Sequence, residues 1–227
     1  MKPRQWNDAL YGIAESQLGY FTAAQARGVG VHPVRLIQLH QSGDIERVSR
    51  GVYRLVRFPV SPLGQYMEAA LWPQVRRSEA RAVISHASAL ALYELSEVSP
   101  AKIHLTLDPQ VRLRREIPPE LVFHFAPLAA DDIQFIEGVP VTTPERTIRD
   151  AYAAHLGAAL IRRAIADGRR NGRLTQDTAD RLTRELLAES PPKERKSTKR
   201  RAVVGTSSTR THQKRRSTAK KGGVRRR

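Results

Sequence analysis

Residues 19–55 read GYFTAAQARGVGVHPVRLIQLHQSGDIERVSRGVYRL, and this stretch decides the N-terminal fold. The alanine-rich run after Thr22 favours a short helix, which the Thr22 hydroxyl can cap and which the GVG step ends at a sharp turn. Pro33 opens a second helix, because proline at the first helical position gives up no hydrogen bond. Segments 45–48 and 52–55 predict a hairpin. Helix, turn, helix and hairpin together predict a winged helix-turn-helix, which inserts its second helix into the DNA major groove.

The outer side of the second helix is the predicted base-reading surface, since Leu36 and Leu39 supply its core-facing stripe. Glutamine can pair with adenine, arginine with guanine, and apolar side chains with thymine methyl groups. Arginines of the hairpin are expected at phosphates or in the minor groove, and Thr22 can touch a phosphate besides capping its helix. Two alternatives stay open: Val34 and Ile37 could pack inside the protein, and the hairpin arginines could form a solvated edge. The expected DNA-binding residues are Thr22, His32, Val34, Arg35, Ile37, Gln38, Gln41, Arg47, Arg50 and Arg54.

The chain divides into three predicted parts, and its fold class is predicted to be α+β. Apolar residues at helical spacing over 6–17 add a first helix to the N-terminal domain, which we place at 1–58 because prolines follow at 59 and 62. We predict a mixed α/β domain over residues 59–190 and a disordered basic tail over residues 191–227. In the second domain we expect helices ending near 72, 95, 155, 167 and 188, and strands at 102–107, 121–125, 133–136 and 139–141.

The positive charge is concentrated at the two ends of the chain. The formal net charge is +17, of which residues 191–227 contribute +14, residues 1–58 contribute +4 and the middle contributes −1. The last 37 residues contain few apolar side chains, so they cannot offset the entropy cost of ordering, but they can bind phosphates without reading bases. The expected nonspecific DNA contacts of this tail are Lys199, Arg200, Arg201, Lys214, Arg215, Arg216, Arg225, Arg226 and Arg227.

Composition and spacing argue against an enzyme, a metal site or a cofactor site. The sequence has no cysteine, which excludes disulfides and thiolate chemistry and suits a cytoplasmic location near the nucleoid. Neither a secretory signal nor a membrane span is expected. Ser85, His86 and Ser88 suggest a nucleophile, but a helix cap is the simpler interpretation. His104 and His124 lack the paired spacing of a zinc site, so we expect half-exposed strand residues.

Five motifs resemble the AbiEi-type antitoxins of type IV toxin–antitoxin systems. They are GYFTAAQARGVGV, GDIERVSRGVYRL, VISHASALALYEL, PAKIHLTL and PVTTPERTIRDAY, and the resemblance spans roughly residues 10–187. It implies that the winged helix binds operator DNA and represses its own operon. It also implies that the second domain counteracts a nucleotidyltransferase-like toxin. Some relatives contain an additional nuclease-like domain, and we expect no nuclease activity from this chain.

The residues themselves leave a second function open. A stand-alone transcription regulator or nucleoid-associated protein would share the winged helix and the basic tail, and it would have no toxin partner. Double-stranded DNA is the expected partner in both cases, and the protein could bind repeated sites as a monomer. A cognate toxin is expected only in the first case.

Overall fold

Helices and strands follow one another in an order that separates two sheets. The computed structural model describes residues 3–75 and 82–187. Its elements are α1 Pro3–Glu15, β1 Tyr20–Thr22, α2 Ala23–Gly28, α3 Pro33–Gln41, β2 Ile45–Ser49, β3 Val52–Leu55, α4 Gly64–Leu71, β4 Val83–Ile84, α5 His86–Leu92, β5 Ile103–Leu107, β6 Leu121–Phe125, β7 Ile133–Ile136, β8 Val139–Thr142, α6 Pro144–Ala153, α7 Ala158–Arg170 and α8 Gln176–Leu187.

The N-terminal core is built by α1, α2, α3 and a small antiparallel sheet in the order β1-β3-β2. Leu36 and Leu39 are buried, at 3% and 7% exposure, so the predicted core-facing stripe of α3 is confirmed. Helix α3 and the hairpin strands also have the predicted positions. The sequence analysis did not predict β1, which pairs Phe21 with Tyr53 and makes β3 the central strand. Helix α1 begins three residues earlier than expected, and the side chain of Trp6 lies outside the described part.

The second sheet has five strands in the order β6-β5-β4-β8-β7, with β4–β8 and β5–β6 parallel and the other pairs antiparallel. Helices α4 to α8 accompany it, so the α+β class is confirmed. Helix α5 ends at Leu92 rather than near residue 95, because Glu94 and Ser96 turn the chain with φ of 56° and 73°. Helix α7 continues three residues beyond the predicted end.

The two sheets share apolar packing. Val52 of the central strand β3 is fully buried in the larger core, and Leu18, Tyr20 and Val48 pack against that core. A Cβ added at Gly138, in the β7–β8 turn, would lie 2.5 Å from the carbonyl oxygen of Ser16 just after α1. The described residues accordingly form one compact unit. The small sheet therefore depends on the second part of the chain for one of its faces.

Residues 191–227, which carry the predicted disordered tail, lie outside the described residues. No helix within the described ranges is long and apolar enough to cross a lipid bilayer.

Candidate nucleic-acid interface

The outer face of α3 exposes two large apolar side chains. Val34 and Ile37 are 53% and 56% exposed, so they do not pack within the described part of the protein. Between them in sequence, Arg35 donates a hydrogen bond of 3.1 Å to the side-chain oxygen of Gln38. Gln41 is also exposed, one turn further along the helix. The face thus presents two apolar side chains beside an arginine and two glutamines.

The start of α3 is fixed by His32 and Pro33. His32 is the residue before the first helical position, and its ring Nδ1 accepts a hydrogen bond of 3.4 Å from the backbone N–H of Val34. Proline follows at the first helical position, as expected. His32 is exposed, and its ring lies at the N-terminal end of α3, where the helix dipole favours an anion.

Thr22 has a structural role only, which corrects the expected phosphate contact. Its hydroxyl accepts a hydrogen bond from the Gln25 N–H at 3.1 Å, while the Gln25 side chain accepts one from the Thr22 N–H at 2.8 Å. This capping box confirms the predicted cap. The residue is 0% exposed, however, because β1 places it inside the small sheet. A buried hydroxyl that already bonds the backbone cannot reach a phosphate.

The wing, which we define as residues 45–55, exposes two of its three predicted arginines. Arg47 and Arg50 are exposed, Arg50 at the turn and Arg47 next to an irregularity in strand pairing. Gly51 completes the turn with φ of 84°, a conformation that glycine adopts without strain. Exposed cations of this kind, on a hairpin next to the exposed face of α3, suit contacts to an anion.

Arg54 points into the protein, and this corrects the third predicted wing contact. Successive side chains of a strand alternate between faces, so Arg54 shares the face of Val52, which is buried in the larger core. Its guanidinium donates to Glu46 Oε1 at 2.6 Å and to the Phe58 carbonyl at 2.7 Å, and the residue is only 7% exposed. The side chain therefore ties the wing to the segment after it and is not available to DNA.

Three histidines, one at the start of α5 and two on the second sheet, form a cluster of titratable groups. The rings of His86 and His124 stack with centroids 3.5 Å apart, and His104 Nδ1 lies 3.0 Å from His124 Nε2. Ser85 Oγ lies 2.9 Å from His86 Nδ1 and accepts a hydrogen bond of 2.8 Å from Thr106. Ser85 precedes α5, but its hydroxyl makes no capping bond, so the simple cap expected there is wrong.

Burial determines the protonation of this histidine cluster. Burial, the neighbouring rings of His124 and His104 and the charge of Arg146 together lower the pKa of His86 to about 3. Burial also lowers the pKa of His104 and of His124. Asp150 accepts a 2.9 Å bond from Arg146, and burial raises its carboxyl pKa. The rings are therefore held in their neutral forms at neutral pH.

The cluster offers structural bonds rather than a nucleophile open to substrate. Ser85 and Ser88 are both 0% exposed. Ser88 donates to the Lys102 carbonyl at 3.3 Å and accepts from the His104 N–H at 2.9 Å, which joins α5 to β5. In residues 3–75 and 82–187, no group of three or more histidine and carboxylate residues is placed to hold a metal ion.

Comparison with known proteins agrees with the motifs in the N-terminal part. A family model described as "Transcriptional regulator, AbiEi antitoxin" matches residues 9–56, which include α2, α3 and the wing. No curated protein matches the chain. Among solved structures the chain is similar to the RV2827C protein from Mycobacterium tuberculosis, with 17% identity and a TM-score of 0.45 over 80% of this chain and 72% of that one. The expected resemblance is therefore confirmed over residues 9–56, which are similar to the AbiEi antitoxin family of transcriptional regulators.

Proposed function

We propose that this protein is the antitoxin and autorepressor of a type IV toxin–antitoxin system. It binds operator DNA through a winged helix-turn-helix, and its second domain counteracts a nucleotidyltransferase-like toxin. The observation that carries the DNA-binding half is the α3 face on which Val34 and Ile37 stay half exposed beside Arg35 and Gln38. Large apolar side chains grouped on one exposed helix face are characteristic of a surface that receives a partner.

The arrangement of donors and apolar groups on α3 suits the major groove. Gln38 can bond adenine in two places, Arg35 can do the same with guanine, and Ile37 can contact a thymine methyl group. The wing would then lie along the backbone, with Arg47 and Arg50 at phosphates or in the minor groove. This mode of binding needs no metal or cofactor. Thr22 and Arg54 take no part in it, since both are buried.

The basic segment 191–227 adds affinity without sequence preference. Its fifteen lysines and arginines against one glutamate give it a charge of +14. Each phosphate that it neutralises releases counterions, so its contribution falls steeply with added salt. In the cell this segment would keep the protein close to the nucleoid while α3 selects the operator.

The antitoxin half rests on the family match and on the motifs at 83–95, 100–107 and 140–152. A second function, a stand-alone regulator or nucleoid-associated protein, is favoured by the charge of segment 191–227 alone. The two differ in whether a toxin is neutralised and in how strongly one DNA sequence is preferred.

The experiment that tests the proposal measures repression and toxin rescue with the same set of full-length proteins. Isolated residues 1–58 are unsuitable, because Val52 belongs to the larger core. We expect wild type to repress a reporter under its own promoter and to restore growth when the adjacent candidate toxin is expressed. The R35A/Q38A variant should lose repression and keep rescue.

Two results would contradict parts of the proposal. If wild type gives no rescue of growth, the antitoxin half is wrong and the stand-alone regulator is favoured. If R35A/Q38A represses as well as wild type, α3 is not the reading element. The control is R162A/R169A, which removes two exposed arginine side chains from α7 and so at least the positive charge that R35A/Q38A removes from α3.

A further inference from the structure

The loop between β5 and β6 contains a short segment, Val111–Arg115, whose side chains alternate between two environments. Val111 and Leu113 pack against the larger core, whereas Arg112 and Arg114 are exposed. Arg115 returns to the inner side and is half buried. The packing of Val111 and Leu113 fixes the backbone of the segment, and the alternation directs the two arginines between and after them outward.

Arg115 places this segment beside the wing. Its guanidinium donates a hydrogen bond of 3.4 Å to the carbonyl oxygen of Arg50, which stands at the wing turn. The same guanidinium stacks on the Trp72 ring, 3.4 Å from the ring centroid, and donates to the Trp72 carbonyl. The Trp72 ring in turn stacks on Phe123 of β6. The loop of the second sheet and the wing turn are thus joined by one arginine with several fixed contacts.

We propose that Arg112 and Arg114 extend the DNA-binding surface from the wing onto the second sheet, with Arg115 as the positioning residue that holds them there. The partner is the duplex backbone on the far side of the wing turn from α3. This inference rests on the proposed DNA-binding function and adds to it a contact outside residues 9–56, the segment that the family model matches.

The charges around the two arginines are consistent with this contact. Arg112 donates one hydrogen bond, of 2.6 Å, to the Pro109 carbonyl, and its guanidinium has further donors for a phosphate. No ion pair within the described residues involves Arg112 or Arg114. The carboxylates of the same loop, Asp108, Glu116 and Glu120, flank the segment rather than interrupt it.

Arginine contacts to phosphate have a measurable signature in salt dependence. Affinity falls with salt, and each neutralised phosphate makes the slope of log affinity against log salt concentration steeper by about 0.9, so two contacts make it steeper by about 1.8. A lower slope means a shallower fall of affinity with salt. Between 50 and 200 mM salt, the affinity ratio of wild type to a variant without both contacts should fall about 12-fold. Base preference should stay the same, because phosphate contacts carry no sequence information.

The test compares full-length R112Q/R114Q with wild type and with R162Q/R169Q, in which the same charge is removed from α7. Binding to a promoter fragment and to a scrambled fragment is measured at five salt concentrations. We expect R112Q/R114Q to lower the slope by about 1.8 on both fragments, while the control keeps the wild-type slope. R115K keeps the charge but loses the stacked, forked contacts of Arg115. We therefore expect it to lower the slope as well.

Three results would overturn the inference. An unchanged slope in R112Q/R114Q means that these side chains do not touch phosphate. An equal loss of slope in R162Q/R169Q means that net charge alone is responsible. An unchanged slope in R115K removes the positioning role. If wild type fails to prefer its promoter while R112Q/R114Q still loses slope, the proposed operator binding fails and the phosphate contact stands.

Discussion

Replacing His86 with asparagine should reduce the loss of stability that we expect on acidification. His86 stacks on His124 and lies near His104 and Arg146, and its pKa is lowered to about 3. As the pH falls below 6.5, His86 becomes protonated in the unfolded chain but stays neutral in the folded protein. The free energy of unfolding therefore declines between about pH 6.5 and pH 3. At pH 5 the loss due to His86 alone is about 2 kcal/mol relative to neutral pH.

The neighbouring groups add to this effect or oppose it in known directions. The pKa values of His104 and His124 are also lowered, so both contribute further loss in acid. Asp150 has a raised pKa, which works in the opposite sense, because the folded state then gains protons more readily than the unfolded state. Its effect falls between its ordinary pKa of about 4 and its raised pKa in the folded protein, which overlaps the lower part of the range in which the histidines act.

Urea unfolding at pH 7.5, 6 and 5 measures the effect. We expect the drop in unfolding free energy from pH 7.5 to pH 5 to be about 2 kcal/mol smaller in H86N than in wild type. The control is H155N, since His155 is exposed and has φ of 59°, close to the 52° of His86, and asparagine tolerates both. The reasoning is refuted if H86N and wild type lose the same stability over this range.

Three further predictions concern other parts of the chain. In urea unfolding, G138A should lower the free energy of unfolding by about 1 kcal/mol or more beyond the loss caused by G157A. Both glycines have positive φ, but only Gly138 has a backbone oxygen 2.5 Å from an added Cβ. Equal losses in the two variants would contradict the close contact. R54M should destabilise the protein by about 2 kcal/mol and leave the salt slope of DNA binding unchanged. R47M should leave the stability unchanged and make the salt slope shallower. A shallower slope in R54M would show that Arg54 does contact DNA. Deleting 191–227 should lower the salt slope by several units at about 0.9 per lost phosphate, and an unchanged slope would exclude the tail from binding.

The sequence was a good guide wherever a feature depends on neighbours along the chain. The cap at Thr22, the helix start at Pro33 and the stripe of Leu36 and Leu39 follow from local spacing, and the structure contains all three. The strand Leu121–Phe125 was predicted with its correct limits, because five residues suffice to show alternation.

What the sequence could not predict depends on contacts between distant segments. Strand β1 has three residues, too few to show a period, and its pairing with β3 is what buries Thr22. Arg54 faces inward because it shares a strand face with Val52, and that face is covered by the second part of the chain. A lone arginine in a hairpin carries no local sign of such a cover.

The histidine cluster illustrates the same limit. Strands β5 and β6 pair in parallel, with His124 opposite Thr106, and this register brings His124 diagonally across from His104. His86 joins them from the start of α5, where its φ of 52° departs from the ordinary helical range. Three histidines about twenty residues apart give no motif, so only the sheet register could have revealed them.

The central claim is that the outer face of α3 reads bases, and the most direct measurement is the specificity ratio of a Gln38 variant. The affinity of full-length Q38A for its promoter fragment is divided by its affinity for a scrambled fragment of the same length, with both measured at the same salt concentration. We predict that the ratio falls by roughly 5- to 150-fold, which corresponds to about 1–3 kcal/mol for one lost bidentate base contact. Affinity for the scrambled DNA should stay at the wild-type level. A ratio equal to that of wild type would contradict the account.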